Sequence, residues 1–329
     1  MRQELTKPDG SPLGARSRVY KDNDPILGNI IIKTPITEGD LYYIEKQANG
    51  YNVIKELLES GQDIGVNLPQ LISIHREKYE IIEKELLGND LDSDIYNSLT
   101  ESQKNNLAKQ MAKFLNSMHS LHAPQDTSNT IKSIWRGNRG FNSAHDMIDV
   151  YENKLSEQTI RMIINAEKYL MSVSVADEMS VITHRDIRSQ NVLYNENTQQ
   201  LSVIDFEDAS IDNIYNDFIP NAPSSITSWD FTQRILKFYN GISNKKYKLT
   251  IDIEKVRNAL IYGTASEMAY CFQDKKEKNT ILSDFDYAKV LDNRLQTFIN
   301  NNITFQNAIK NINTKMTVQK HIRNRFQND

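Results

Sequence analysis

Residues 183–193 read Thr-His-Arg-Asp-Ile-Arg-Ser-Gln-Asn-Val-Leu, and the run Val203-Ile204-Asp205-Phe206-Glu207-Asp208 begins ten residues after Leu193. No other stretch restricts the fold as strongly. Asn191–Tyr194 and Leu201–Ile204 are short apolar strands flanking the polar turn Asn195–Gln200, so the chain should close there as a hairpin. Asp186 and Asn191 stand at the two ends of the polar loop that enters the hairpin, and Asp205 stands where the chain leaves it. Three oxygen-bearing side chains are thereby brought to one place. Asp and Asn are common in ordinary loops, but an ordinary loop does not require the full pattern of loop, hairpin and Ile204-Asp205-Phe206.

The chemistry of these residues is specific. An Asn carbonyl and an Asp carboxylate are hard oxygen ligands of the kind Mg²⁺ takes, which suits Asn191 and Asp205. Asp186 is then left to face an attacking hydroxyl and accept its proton. Phosphoryl transfer needs this division of labour, because charge spreads over the phosphate oxygens and metal ions neutralise it. His184 could serve as a base when neutral, but it is expected to anchor the loop by hydrogen bonds. His119 and His122 are expected to pack or cap a helix end. None of the six histidines lies in an H-E-x-x-H pattern.

Upstream, the sequence predicts strands around one helix. Arg18–Lys21 and Asn29–Lys33 are apolar runs separated by a turn-rich stretch from Asp22, and Gln70–His75 and Tyr79–Glu85 are two further strands. Thr37 is a candidate cap for a helix over 39–59, with Ile44, Ala48, Tyr51, Ile54, Leu57 and Leu58 on its buried face. Gly10 to Tyr20 has the glycines and the Ser17 hydroxyl for a loop over phosphates. Lys33 closes the strand Asn29-Ile-Ile-Ile-Lys33, and its apolar predecessors mark it as a buried cation. A helix carboxylate should hold it; Glu45 is the choice, with Glu56 and Glu38 as rivals. Beyond Gly88 helix dominates. Thr100-Glu-Ser-Gln103 is a capping box ahead of the stripe Leu107, Met111, Phe114, Leu115, Met118 and Leu121, and helical patterns return after Trp229.

Composition excludes several classes. A formal net charge of −4 gives no electrostatic reason to expect nucleic acid as a partner. The basic segment 315–325 reads as a solvated helix end. Cys271 is the only cysteine, so intrachain disulfides and multi-cysteine zinc sites are excluded, and a reducing, cytoplasmic setting is expected. No stretch reaches the roughly 20 apolar residues of a membrane helix, and no cleavable leader is evident. The expected fold class is α+β, with residues 1–88 as a small antiparallel-sheet lobe that binds nucleotide and 89–329 as a helical catalytic and substrate-binding lobe. The ligand would lie in the cleft between them.

The segments Ser17–Tyr20, Ile30–Lys33, Glu83–Gly88, Met111–His119, His184–Leu193 and Val203–Asp208 occur in the order of the aminoglycoside phosphotransferase and choline kinase family, a branch of the protein-kinase-like fold. The chain resembles that family from about Gly14 to Phe272. The resemblance implies a kinase that transfers the γ-phosphate of ATP or GTP to a small-molecule alcohol, working as a monomer or homodimer. It implies Asp186 as base, Asn191 and Asp205 as Mg²⁺ ligands, Lys33 on the α- and β-phosphates, and Lys84, Glu85 and Leu86 as the hinge that reads the purine. Asp217 would support the catalytic loop. Glu207 stands where protein kinases have the DFG glycine, and no A-P-E follows, which favours a small-molecule acceptor over a protein. The position where relatives carry the lysine's helix glutamate falls near Gly50. Aminoglycosides, the antibiotic-resistance reading, need carboxylates around the acceptor, for which Glu207, Asp208, Asp212 and Glu267 are candidates. Choline, ethanolamine or homoserine are alternative acceptors; a quaternary ammonium would want an aromatic cage from Trp229, Tyr262 or Tyr270. A protein kinase and a non-catalytic nucleotide-binding regulator are the remaining alternatives.

Overall fold

Alternating burial organises the first part of the chain into one antiparallel sheet around one helix. The structure, a computed structural model, describes residues 2–6, 17–36, 41–121, 143–151, 154–173, 180–218, 229–243, 249, 254, 257–258, 261–266, 268–269 and 295. Strands β1 (Gln3–Leu5), β2 (Ser17–Asp24) and β3 (Gly28–Pro35) precede helix α1 (Leu41–Glu59), and β4 (Leu71–His75) and β5 (Glu80–Lys84) follow it. The spatial order is β1-β2-β3-β5-β4. The β2–β3 turn closes because the Asp24 side chain accepts the amides of Ile26 and Leu27, both at 2.9 Å, and Gly28 takes a φ of +78°. Register pairs Val19 with Lys33, Lys33 with Ile81, and Ile31 with Glu83. Side chains two apart on a strand share a face, so Ser17, Val19, Ile31, Lys33, Ile81 and Glu83 lie on the same side of the sheet.

Helix α1 buries Tyr43, Ile44, Gln47, Gly50, Tyr51, Ile54 and Leu57. This face is rotated from the expected one: Leu58 is 60% exposed and Ala48 is only partly buried. The cause is a second contact, since α1 also lies against the turn that follows the hairpin, described below. Lys33 sits inside its strand rather than at the end, because β3 continues to Pro35.

Past Gly88 the chain joins another layer. Strand β6 (Asn89–Asp90) is followed by α2 (Ser93–Ser98) and by α3 (Glu101–Met118). Asp92 caps α2 by accepting the amides of Asp94 and Ile95. The predicted capping box opens α3: the Thr100 hydroxyl accepts the Gln103 amide at 3.3 Å, and the Gln103 side chain accepts the Thr100 amide at 2.9 Å. Leu107, Met111, Phe114, Leu115 and Met118 are all buried, and each full burial stabilises by about 1.5–3 kcal/mol. Helices α4 (Ala144–Asp149) and α5 (Glu157–Val173) follow, then β7 (Ser180–Thr183), β8 (Val192–Asn195), β9 (Gln200–Val203), β10 (Ser210–Asn213) and α6 (Trp229–Ile242), which packs on α3.

The hairpin is β8–β9, and β6 extends it into a three-stranded sheet; β7 and β10 pair antiparallel beside it. The strands start and stop a residue or so from the expected limits. Asn191 is in a short 3-10 turn, Ser189–Asn191, because its backbone amide donates to the Arg188 carbonyl at 2.9 Å. No described helix is long and apolar enough to cross a membrane. His122, Thr37, Glu38, Tyr270, Cys271, Phe272, residues 10–16 of the proposed phosphate loop and the basic segment 315–325 lie outside the described residues.

Candidate active site

The loop after β7 is held at several points. Asp217 accepts the backbone amides of His184 at 3.1 Å and Arg185 at 2.9 Å, and its Oδ2 lies 3.0 Å from His119 Nε2. The side chains of His119 and Asp217 are fully shielded from solvent. His184 is fully buried, and burial holds its pKa below the ordinary value, so the ring is neutral. Its Nε2 donates to the Ile204 carbonyl at 3.0 Å, which leaves Nδ1 to accept the Asp186 amide at 3.3 Å. Both ring nitrogens are therefore engaged, and His184 is an anchor. Arg185 takes a φ of +66°, an uncommon conformation for a non-glycine residue.

This scaffold presents Asp186 and Asn191 to each other. The Asn191 amide nitrogen donates to the Asp186 backbone carbonyl at 2.9 Å and to Asp186 Oδ2 at 2.7 Å. Arg188 Nη2 lies 3.0 Å from the same carboxylate oxygen. Burial pushes the Asp186 pKa up to about 7, with Asp205 and Asp208 adding to the rise and Arg188 opposing it. The hairpin is tied to the loop through the Ile204 amide, which donates to the Asn191 carbonyl at 3.0 Å.

Asp205 emerges from β9 with φ 66° and ψ 63°, a second left-handed non-glycine residue. Strained conformations persist where the surroundings enforce them. Here the ring of Phe206 is wedged between His184, at a centroid distance of 4.6 Å, and Phe114, at 6.0 Å. Helix α1 closes over this turn. Gly50 lies so near that a Cβ would sit 2.6 Å from the Phe206 carbonyl oxygen. Gln47 Nε2 donates to Glu207 Oε2 at 2.9 Å and makes a long contact of 3.5 Å with Asp205 Oδ1, while Lys46 Nζ is 2.6 Å from Asp208 Oδ1.

On the sheet, Lys33 is 9% exposed and lies 3.0 Å from Glu83 Oε1. Glu45 does not reach it. That side chain is half exposed, grips Arg76 at 2.7 Å, and lies on the outward side of α1. Glu56 is exposed as well. Ser17 is buried beside the Tyr43 hydroxyl. In the segment Lys84–Leu86, the Lys84 amide donates to the Gln70 carbonyl at 2.9 Å and the Glu85 amide to the Asn29 carbonyl at 3.1 Å; the Glu85 carboxylate holds Lys21. The Leu86 amide has no such backbone partner among the described residues.

The candidate acceptor residues divide. Glu207 and Asp208 adjoin Asp205 and are engaged by Gln47 and Lys46. Trp229 opens α6, Asp212 lies on β10, and Tyr262 is buried with its hydroxyl 3.4 Å from Glu167. Glu267 lies outside the described residues. Sequence reasoning missed Glu83 as the partner of Lys33, gave no role to Gln47 or Arg188, and placed Tyr51 only among the packing residues of the helix. Glu80, Glu83 and Glu85 all flank Ile81-Ile82, so the local sequence does not single out Glu83; only the β3–β5 register shows it to be the buried acid that needs a cation.

Solved structures share this arrangement of elements. The GDP and kanamycin complex of APH(2'')-IIIa is 16% identical, with 92% of this chain and 94% of that chain covered and a TM-score of 0.63. Spectinomycin phosphotransferase APH(9)-Ia, in complex with ADP and spectinomycin, is 13% identical over 91% and 92%, at a TM-score of 0.60. A choline/ethanolamine kinase family protein from Mesorhizobium loti is 12% identical over 92% and 90%, at 0.55. The fold is thus the two-lobed protein-kinase-like α+β fold. Residues 56–241, more than half of the sequence, match the model described as the phosphotransferase enzyme family, and the span runs from α1 through the loop and hairpin to α6: the chain belongs to that family.

Proposed function

We propose that this phosphotransferase moves the γ-phosphate of ATP or GTP to the hydroxyl of a small amino-bearing alcohol of the aminoglycoside kind, in the cytoplasm. The observation that carries the reading is the Asp186 carboxylate, aimed by the Asn191 amide at 2.7 Å within a loop clamped to Asp217 and Ile204. Asp186 takes the hydroxyl proton as the acceptor oxygen bonds to the γ-phosphorus and the bond to the leaving nucleoside diphosphate breaks. Asn191 and Asp205 suit a magnesium ion, since the Asn191 amide nitrogen is already used and its carbonyl oxygen is the end left to give. Among the described residues no three His, Cys, Asp or Glu side chains form a metal cluster; magnesium needs only one or two protein oxygens when phosphates complete its shell. When bound, the ion would neutralise the negative charge on the phosphate oxygens.

Lys33 contacts the α- and β-phosphates, Ser17 lies at the root of the phosphate loop, and the Leu86 amide reads the purine edge. This assignment keeps the hinge at Lys84–Leu86 and makes Leu86 its donor. The reading keeps a lobe boundary at Gly88, supported by strand pairing in the five-stranded sheet that stops at Lys84 and by the pairing of β6 with β8. Glu207 and Asp208 border the acceptor side and attract cationic amines; Trp229 and Glu267 belong to the same proposal.

The test is a screen of ATP and GTP consumption with Mg²⁺ against aminoglycosides, choline, ethanolamine and amino-acid alcohols, with a protein acceptor alongside. Turnover with an amino-bearing alcohol supports the reading. Transfer to protein alone, or nucleotide binding without transfer to anything, would discard it.

A further inference from the structure

A buried ammonium needs a carboxylate, because an unpaired charge away from water costs several kcal/mol. In this fold the expected donor is the helix that packs under the sheet. Helix α1 gives none. Its acids Glu45, Glu56 and Glu59 face solvent, and the side it turns toward the lysine and the hairpin carries neutral Gln47, Gly50 and Tyr51. Gly50 has no room for any side chain against the Phe206 backbone, so no acid can be carried there without moving the helix.

The sheet supplies what the helix lacks. Ile31 pairs with Glu83 and Lys33 with Ile81, so Glu83 and Lys33 are diagonal neighbours on one face. Glu83 is 5% exposed, and its Oε1 is 3.0 Å from Lys33 Nζ. The other oxygen is also occupied, because the buried Tyr51 hydroxyl donates to Oε2. Burial alone would pull the Lys33 pKa down, but Glu83 and its neighbours outweigh that and leave it well above the ordinary value. Both carboxylate oxygens and the ammonium are thus satisfied, as a stable buried pair requires.

We propose that Glu83 on β5 is the positioning residue for Lys33, taking the role of the helix glutamate, and that Tyr51 links α1 to the lysine through it. The consequence is mechanical. Strand register fixes the lysine, and α1 contributes through one hydrogen bond rather than through an ion pair of its own. The inference rests on the phosphotransferase reading for its purpose, while the pairing itself has an independent readout.

The experiment compares wild type with Lys33→Met, Glu83→Gln, Glu83→Asp and the Lys33→Met/Glu83→Gln double variant, each checked by thermal melting. Calorimetry with MgADP and MgGDP measures nucleotide affinity. Each of Lys33→Met and Glu83→Gln should weaken binding about tenfold, the double variant no more than the worse single, and Glu83→Asp should recover part of the loss. Losses that add, or binding in Glu83→Gln as tight as or tighter than wild type, overturn the proposal; the last would mean that the carboxylate only repels phosphate. Acetylation of Lys33, mapped by mass spectrometry, reads the pair without nucleotide. Without Glu83 burial is opposed only by the weaker influence of Tyr51, Asp205 and Tyr43, more free amine is present, and labelling in Glu83→Gln should rise about tenfold. An unchanged rate overturns the pairing. A wild-type protein that binds neither nucleotide defeats the proposed function instead, and labelling still decides the pair.

Discussion

In the proposed reaction Asp186 carries the chemistry, and Asp217 holds the loop that carries Asp186. Replacing Asp186 by Ala removes the proton acceptor without disturbing the loop amides, which are held by Asp217 and not by residue 186. Transfer should fall by about 10²–10⁴-fold, the usual worth of a general base, while MgADP or MgGDP binding persists; near-normal turnover would exclude Asp186 as base. Asp217→Asn is a different case. An amide can accept only through its single oxygen, so one of the bonds to the His184 amide, the Arg185 amide and His119 must fail. Turnover should fall together with the melting temperature, and thermal melts beside kinetics will separate this variant from Asp186→Ala. The pattern that singles out Asp186, Asn191 and Asp205, on which their proposed roles rest, was legible in the sequence because it lies in short-range spacing. The partner of Lys33 was not, because it comes from a strand some fifty residues on and depends on β3–β5 register, which no local pattern encodes.

At the level of elements, capping, periodicity and the β8–β9 hairpin were readable, and the other short strands were not. Thr100 and Gln103 announce α3 by local hydrogen bonds alone, whereas β1, β6, β7 and β10 are two to four residues long and exist because a neighbour pairs with them. The face of α1 was misjudged at Ala48 and Leu58 for the same reason: the Phe206 turn lies far along the chain. The junction of α2, α3 and α6 offers a test of its own. Asp230 accepts from Tyr96 at 2.7 Å and from Arg234 at 2.7 Å, and Arg234 reaches Glu101 and Asn105. Partial burial would raise the Asp230 pKa, but the Arg234 and Tyr96 hydrogen bonds outweigh it and leave it lowered. A lowered folded-state pKa gives stability that is present above the unfolded value of about 3.9 and lost as pH falls through the folded value. Melting of wild type and Asp230→Asn should therefore differ at neutral pH and converge below about pH 4; curves that stay parallel in acid would show that the carboxylate charge is not what holds this junction.

At the scale of the molecule, α1 links the five-stranded sheet to the turn that follows the β8–β9 hairpin. The helix hangs between β3 and β4, yet Gln47, Lys46 and Gly50 meet the residues that follow the hairpin. Glycine in the middle of a helix ordinarily costs about 0.5–1 kcal/mol relative to alanine, so a Gly→Ala change there should stabilise if nothing opposes it. Gly241 in α6 has nothing within 4 Å of its missing Cβ, and Gly241→Ala should gain up to about 1 kcal/mol. Gly50→Ala reverses the sign. Its Cβ would meet the Phe206 carbonyl oxygen at 2.6 Å and carbonyl carbon at 2.8 Å, backbone atoms that cannot rotate away. The helix must then lift from the turn, at a cost of about 1–3 kcal/mol for overpacking. Lifting it also loosens Gln47 from Glu207, which adjoins the proposed magnesium aspartate, and Tyr51 from Glu83. Gly50→Ala should therefore lower the melting temperature, raise the Mg²⁺ concentration needed for half-maximal transfer and weaken nucleotide binding together, whereas Gly241→Ala changes only the first and in the opposite direction. A Gly50→Ala protein with lowered stability but unaltered Mg²⁺ dependence would mean that the contact is packing alone, and that α1 does not govern the geometry at Asp205.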